Sequence, residues 1–224
     1  GAVNVESGYG DFTNCKFYGN TSTKQGGAVY LASPLAYVVD GGTFNFTNCL
    51  FEGNKAENGG AIAQSGNKHA VFVNNCIFNK NSASDWNGGG AIYVGSSCKG
   101  TDVKNSIFNG NTADGMGGAI YNYNNAYLKS TNNQYYGNKA VEGGAIRTED
   151  INFASASGGF WSTGDVFYQN TAMKGKNNAA NNGCGGALFI HIGQAKACEI
   201  VNVKFVGNSA DMQQKAGSGG AIYY

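Results

Sequence analysis

Phe108-Asn-Gly-Asn-Thr-Ala-Asp-Gly-Met-Gly-Gly-Ala-Ile-Tyr121 decides the fold, because the chain writes this stretch again and again. A ring followed three residues later by Asn recurs at Phe17/Asn20, Phe51/Asn54, Phe78/Asn81, Phe108/Asn111, Tyr135/Asn138, Phe167/Asn170 and Phe205/Asn208. Each pair leads into a box of Gly-Gly-Ala plus an aliphatic residue. The boxes begin at Gly26, Gly59, Gly89, Gly117, Gly143, Gly185 and Gly219. They lie 26 to 42 residues apart, a period that marks a stacked repeat array.

Variable spacing excludes a coiled coil and most helical solenoids, since an insertion inside a helix scrambles its buried face. Gly, Asn, Thr and aromatic residues fill each unit without helical periodicity. Short alternating runs such as Val71-Phe-Val73 and Val201-Asn-Val-Lys-Phe205 read instead as strands bounded by turns. Strand and turn repeated about every 30 residues predict an all-β fold, a right-handed parallel β-helix of about seven coils without terminal caps. Coils stacked about 4.8 Å apart give a rod on the order of 34 Å long. Residues 1–224 form a single segment in this reading. Gly1-Ala-Val at one end and Gly219-Gly-Ala-Ile-Tyr-Tyr224 at the other look like interrupted boxes, so a longer repeat protein or an end-to-end stacking unit is expected.

Stacking turns the repeats into columns. The ring column should face inward, with Cys15, Cys49, Cys76, Ser106, Asn133, Asp165 and Val203 two residues earlier on the same face. The Asn column should form an amide ladder at the strand ends. In the box, the aliphatic fourth position should point inward. The fifth position (Tyr30, Ala63, Tyr93, Tyr121, Arg147, Phe189, Tyr223) accepts Arg and is therefore placed outside, and the box Ala with it. Segments 31–45, 148–159 and 171–184 break the rhythm and are expected to leave the rod as loops.

Gly-Gly-Ala-Ile and Phe-x-x-Asn, paired along the whole chain, closely resemble the repeats of the chlamydial polymorphic outer-membrane proteins. Similar arrays occur in other large surface proteins of bacteria, archaea and some protists. The resemblance implies a right-handed β-helical passenger exported to the cell surface, with adhesive roles in the better-known members. The membrane β-barrel that follows the passenger in those members has no counterpart in these 224 residues.

Composition narrows the functions. A net charge of +1, with Arg147 the single arginine, leaves no basic footprint for nucleic acid. No apolar run reaches the length of a membrane span, so membrane insertion by this segment is not expected. Polysaccharide lyases and hydrolases built on β-helices need clustered carboxylates. Here Glu57, Asp85, Asp114, Glu142 and Asp211 are spread along one turn and read as turn caps. Glu149-Asp150 with Asp165 and Arg147 is the one denser acidic group; it reads as a solvated loop rather than a carbohydrate or calcium site. His69 and His191 sit in different coils and read as surface or strand residues. No enzymatic activity, no cofactor and no metal site is expected.

The six cysteines follow the repeat rather than a zinc spacing and read as small buried thiols. Cys184 and Cys198 flank one strand, which makes them the candidate disulfide. Asn20 and Asn45 head N-glycosylation sequons. Asn45, near a loop, is the better acceptor, because Asn20 belongs to the inner ladder. Tyr30, Tyr93, Tyr121, Phe189 and Tyr223 form a candidate contact face, able to stack sugars, meet a partner or pack rods; equally, these rings could lie over their own neighbouring turns. The expected function is an extracellular structural or adhesive β-helix segment of a surface or filament protein, with a protein or glycan partner or self-association into rods. A carbohydrate-active or carbohydrate-binding β-helix is the alternative.

Overall fold

The computed structural model describes residues 1–6, 8–32, 42–66, 69–124, 126–150, 158–175, 183–193, 197–211 and 219–224. It is a parallel β-solenoid, and the described residues contain no helix. One coil runs Gly100–Lys104, Ile107–Asn109, Thr112–Ala113, Ile120–Tyr123. Each of these strands pairs only with its equivalents in adjacent coils, which builds four parallel sheets of seven, seven, six and eight strands. We call them the long, ring, short and box sheets. Two apolar runs per repeat were legible in the sequence; the coil uses four strands because three left-handed corners divide it.

Those corners lie at Asn105 (φ 51°), Gly110 (φ 60°) and Gly117 (φ 62°). The first is an Asn column that the sequence reading passed over: Asn14, Asn48, Asn75, Asn105, Asn132 and Asn202, with φ from 51° to 56°. Asn tolerates this conformation better than other side chains, and Gly164 takes its place in the sixth coil. At the second corner Lys80 and Gln169 adopt φ 52° where other coils have glycine. A Cβ at Gly137 of that column would meet nothing within 4 Å. Gly137→Ala should therefore cost only the left-handed penalty of about 1–2 kcal/mol, and Gly137→Asn less. Denaturant midpoints of the two variants check this; a larger loss for Asn than for Ala would contradict it.

The ring column is inward, as expected. Phe17, Phe51, Phe78, Phe108, Tyr135, Phe167 and Phe205 form one continuous stack, with centroids 4.6–5.1 Å apart and planes within 12°. Parallel pairing in register (Phe78↔Phe108↔Tyr135) sets that spacing, so each ring lies on the next. The Asn ladder beside it also holds. Asn111 Nδ2 donates to Asn138 Oδ1 at 3.0 Å and to the Phe78 carbonyl at 3.0 Å. The Asn111 backbone N–H reaches the same Oδ1 at 3.0 Å. Each inner ladder amide, from Asn54 to Asn170, thus spends both its hydrogens and accepts two bonds, which a shorter or apolar residue cannot reproduce.

The box departs from expectation at Ala. Ala28, Ala61, Ala91, Ala119, Ala145 and Ala187 lie in the main core beside Val29, Ile62, Ile92, Ile120, Ile146 and Leu188. They do not face outward. The chain turns a corner there: the N–H groups of Ala119 and Ile120 both donate to the Ala145 carbonyl, at 2.8 and 3.0 Å. Strict alternation therefore fails at this point, and two successive side chains enter the core. The preceding glycine has no room for any side chain. A Cβ on Gly118 would stand 2.1 Å from the Gly144 carbonyl oxygen and 2.6 Å from the Lys139 nitrogen.

The column two residues before the rings is buried, and its chemistry is more specific than small size. Cys76 N–H donates to Ser106 Oγ (3.0 Å), Ser106 N–H to Asn133 Oδ1 (2.8 Å), and Asn133 N–H to Asp165 Oδ1 (2.7 Å). Cys49 N–H meets Cys76 Sγ at 3.3 Å in the same way. Cys76, Ser106, Asn133 and Asp165 each accept the amide proton of the coil before, so Cys, Ser, Asn and Asp are alternatives for one acceptor role.

Candidate interaction faces

The fifth box position forms a column on the outer side of the box sheet, paired Tyr30↔Ala63, Ala63↔Tyr93, Tyr93↔Tyr121, Tyr121↔Arg147, Arg147↔Phe189 and Phe189↔Tyr223. It is not the open row of rings expected above. Tyr93, Tyr121 and Phe189 are buried, and only Tyr30 and Tyr223 are partly exposed. The cover comes from the segment just before the next box, which runs beside the column. Met116 and Trp86 pack on Tyr93 and Tyr121. Met116, Glu142 and Cys184 occupy successive bridges in that segment.

Arg147 shows what this layer does with a charge. Its guanidinium lies 4.6 Å from the Phe189 ring centre and 5.5 Å from that of Tyr121. Nε donates to Glu142 Oε2 at 2.6 Å and Nη1 to Glu149 Oε2 at 2.5 Å, while Tyr121 Oη donates to Glu149 Oε2 at 3.0 Å. Arg147 and Glu142 are both buried. Burial pushes the Glu142 carboxyl above its ordinary range, and Arg147 pulls it down only in part. Burial works against the Arg147 charge, but Glu142, Tyr121 and Glu149 together more than offset it. The position tolerates Arg because two carboxylates and two rings enclose it, not because it is solvated.

Of the acidic group read from the sequence, Glu149 keeps Arg147 as its partner, whereas Asp165 stands apart from them. Asp165 is fully buried behind the ring stack, accepting from Ser162 Oγ at 2.6 Å. Burial raises its carboxyl, and the Ser162 hydroxyl and Asn133 N–H pull the other way. Glu149 lies on the outside of a different sheet, in the strand Ile146–Asp150. Of the turn acids, Asp85 caps its turn by accepting from the Trp86 N–H at 2.7 Å, and Glu57 pairs with Lys24 at 3.1 Å on the surface. Glu142 is instead the buried partner of Arg147. Among the described residues, no group of three or more His, Cys, Asp or Glu side chains is shaped to hold a metal.

His69 is buried rather than superficial: Nδ1 accepts from the Gly42 N–H at 3.0 Å and Nε2 lies 3.3 Å from the Ala32 carbonyl, which makes the ring a core residue. His191 is exposed in the strand Leu188–Ile192. Cys198 is a free thiol, so the bridge to Cys184 is not formed. Cys198 pairs in register with Phe160 in the long sheet, whereas Cys184 bridges Glu142 beside the box sheet, and the coil turns between them. Burial pushes the Cys76 and Cys98 thiols up to about 12, which keeps them protonated. Asn20 is the half-buried first rung of the ladder, donating to Asn54 Oδ1 at 2.9 Å. Asn45 lies within the strand Thr43–Thr47, not in a loop, and donates to Asp11 Oδ1 at 2.6 Å. Of the three expected loops, residues 33–41, 151–157 and 176–182 lie outside the described residues, and their ends belong to the strands Val29–Ala32, Thr43–Thr47, Ile146–Asp150 and Thr171–Ala172.

One face escaped the sequence reading. Either side of each buried ring, the ring sheet points a residue outward. Tyr18 (54 % exposed), Ile77 (42 %), Tyr168 (39 %) and Val206 (47 %) make this outer surface partly apolar. The signal was present, since a residue next to an inward ring in a strand must face out.

The geometry defines the repeating unit: left-handed Asn, acceptor, ring, ladder Asn, glycine box. The Chlamydia polymorphic membrane protein repeat matches residues 14–32, 48–65, 105–123 and 202–224. These four stretches are of the polymorphic membrane protein repeat type. Each match opens at or beside a left-handed Asn corner (Asn14, Asn48, Asn105, Asn202) and ends within or just past the box strand. In this chain each matched stretch carries a ring strand and a box strand, joined by a short strand in every match but the first, where Thr21 makes only an isolated bridge to Lys55. The coils that fall between the matches place their residues in the same columns. Neither the curated proteins nor the solved structures gave a match to the chain.

Proposed function

We propose that the chain is a surface-displayed, non-enzymatic β-solenoid segment that presents its outer faces to a protein or glycan partner. The repeat it shares with the polymorphic membrane proteins carries this reading and supports a cell-surface location. The division of labour along the coil agrees with it. Ring, ladder, acceptor and box columns are committed to internal bonds, and the outward positions of the ring sheet vary from Lys16 through Ile77 to Tyr168. Constant inside and variable outside is what a scaffold for contact requires.

The carbohydrate-active alternative requires carboxylates that converge on one groove. Several described acids are instead committed to protein partners: Asp165 to the core, Glu142 and Glu149 to Arg147, Glu57 to Lys24. An antibody against this segment, applied to intact cells that produce it, should label them without permeabilisation. Labelling only after permeabilisation would overturn the surface assignment, and release of reducing ends from polysaccharide by the purified segment would overturn the non-enzymatic one.

A further inference from the structure

The ring column of the box sheet is interrupted at Ala63 and at Arg147, and a shallow depression opens beside the first break. Tyr30 has Asn4 and Ala63 as its register neighbours, so no ring lies above or below it, whereas Tyr93 meets Tyr121 and Phe189 meets Tyr223. The Tyr30 ring is partly exposed, and its hydroxyl is anchored to Ser65 Oγ at 2.8 Å. Ser22, Lys24, Gln25, Glu57 and Asn58 complete the lining.

Two of these residues carry unused acceptors. Gln25 Oε1 and Asn58 Oδ1 are buried side-chain oxygens without a hydrogen-bond partner. The Asn58 amide is oriented by Nδ2 donating to Asp85 Oδ2 at 3.5 Å, which leaves its oxygen unspent. Buried acceptors of this kind are rare in native proteins and mark a missing donor. At the rim Lys24 Nζ sits 3.1 and 3.3 Å from the two Glu57 oxygens, so the local charges cancel.

The chemistry narrows the ligand. A cation finds Lys24 already on the only carboxylate of the lining; an anion meets that carboxylate and two acceptor oxygens. What remains is a neutral group with hydroxyl donors and an apolar face to lie on an aromatic ring. We infer that the depression beside Tyr30 is a binding subsite for a neutral pyranose, as one unit of a surface glycan. This rests on the reading of the chain as surface-displayed, and it adds the ligand class and the residues.

Saturation-transfer NMR on the intact segment tests it, with the methyl glycosides of glucose, galactose and N-acetylglucosamine as probes. Transfer to the ring protons of at least one is expected. Tyr30→Ala should weaken binding about tenfold or more, the scale of a lost ring contact. Tyr30→Phe should keep it, since the ring remains, and Tyr168→Ala on the ring sheet should leave it unchanged. Should Tyr30→Ala fail to fold by circular dichroism, Gln25→Leu, which removes one of the two unused acceptors on a partly exposed side chain, must still weaken binding. No transfer from any glycoside, equal binding by a folded Tyr30→Ala variant, or a response of the site to calcium chloride but to no glycoside overturns the inference. Labelling of intact cells separates the two levels: a labelled cell with no glycoside binding discards only the subsite, and an unlabelled one discards the reading beneath it.

Discussion

Phe108→Ala is expected to cost about 3–5 kcal/mol of folding stability, the range for removing a large buried ring. Phe108 is fully buried and lies between Phe78, 4.7 Å away and 1° from parallel, and Tyr135, 4.9 Å away at 12°. Truncation removes both stacking contacts and leaves a ring-sized void. The void cannot close along the rod, because backbone pairing on both sides fixes the coil spacing (Phe78↔Phe108↔Tyr135). Poor relaxation favours the upper half of the range. Ile77→Ala, one position from a stacked ring but on the exposed side, should change stability by about 0.5 kcal/mol or less. Urea denaturation of the three proteins measures both. A loss under about 1 kcal/mol for Phe108→Ala would contradict the inward stack.

Arg147→Ala should cost about 3–5 kcal/mol at neutral pH, because it strands a buried carboxylate. Glu142 and Arg147 are both buried, and the 2.6 Å bond between them is the main offset to the Glu142 charge. The sign of the pH dependence follows. Burial already holds the folded-state Glu142 carboxyl above its unfolded value, against the pull of Arg147. Without Arg147 it rises further. Between the unfolded value and the raised one, the folded protein binds the proton and the unfolded chain does not, so stability increases as pH falls through that window. The deficit of Arg147→Ala should therefore shrink between pH 7 and about pH 5, above the ordinary glutamate value of about 4.3. Removing both partners in Glu142→Leu/Arg147→Met should recover much of the loss, since an apolar pair leaves no charge unpaired. A deficit that stays constant with pH, or grows as pH falls, would show that the Glu142 charge is not what the variant exposes.

The candidate site was legible only in part, and the misses share one cause. Tyr93, Tyr121, Arg147 and Phe189 were placed on the correct side of their sheet by alternation. Alternation does not say what lies above that side. Met116 and Glu142 cover it, from a segment whose position depends on how the coil bends after the short sheet. Cys184 and Cys198 are close in sequence yet belong to different sheets, because the chain turns between them. The Tyr30 depression exists because Ala63 interrupts a ring column, and that column is a property of the stack rather than of either residue's neighbours in sequence.

Repeat periodicity was enough to name this chain a parallel β-solenoid, and to name the rings that stack and the amides that form the ladder. A parallel stack in register converts each repeat into a column, so periodicity alone names those residues. Where alternation breaks and what covers the outer face became visible in the folded coil alone. Left-handed corners at Asn105, Gly110 and Gly117 divide a coil into four strands and turn Ala119 into the core beside Ile120. The physical reason is that a corner is set by backbone dihedrals and by bonds to the next coil, and neither is written in the hydrophobic pattern of one repeat.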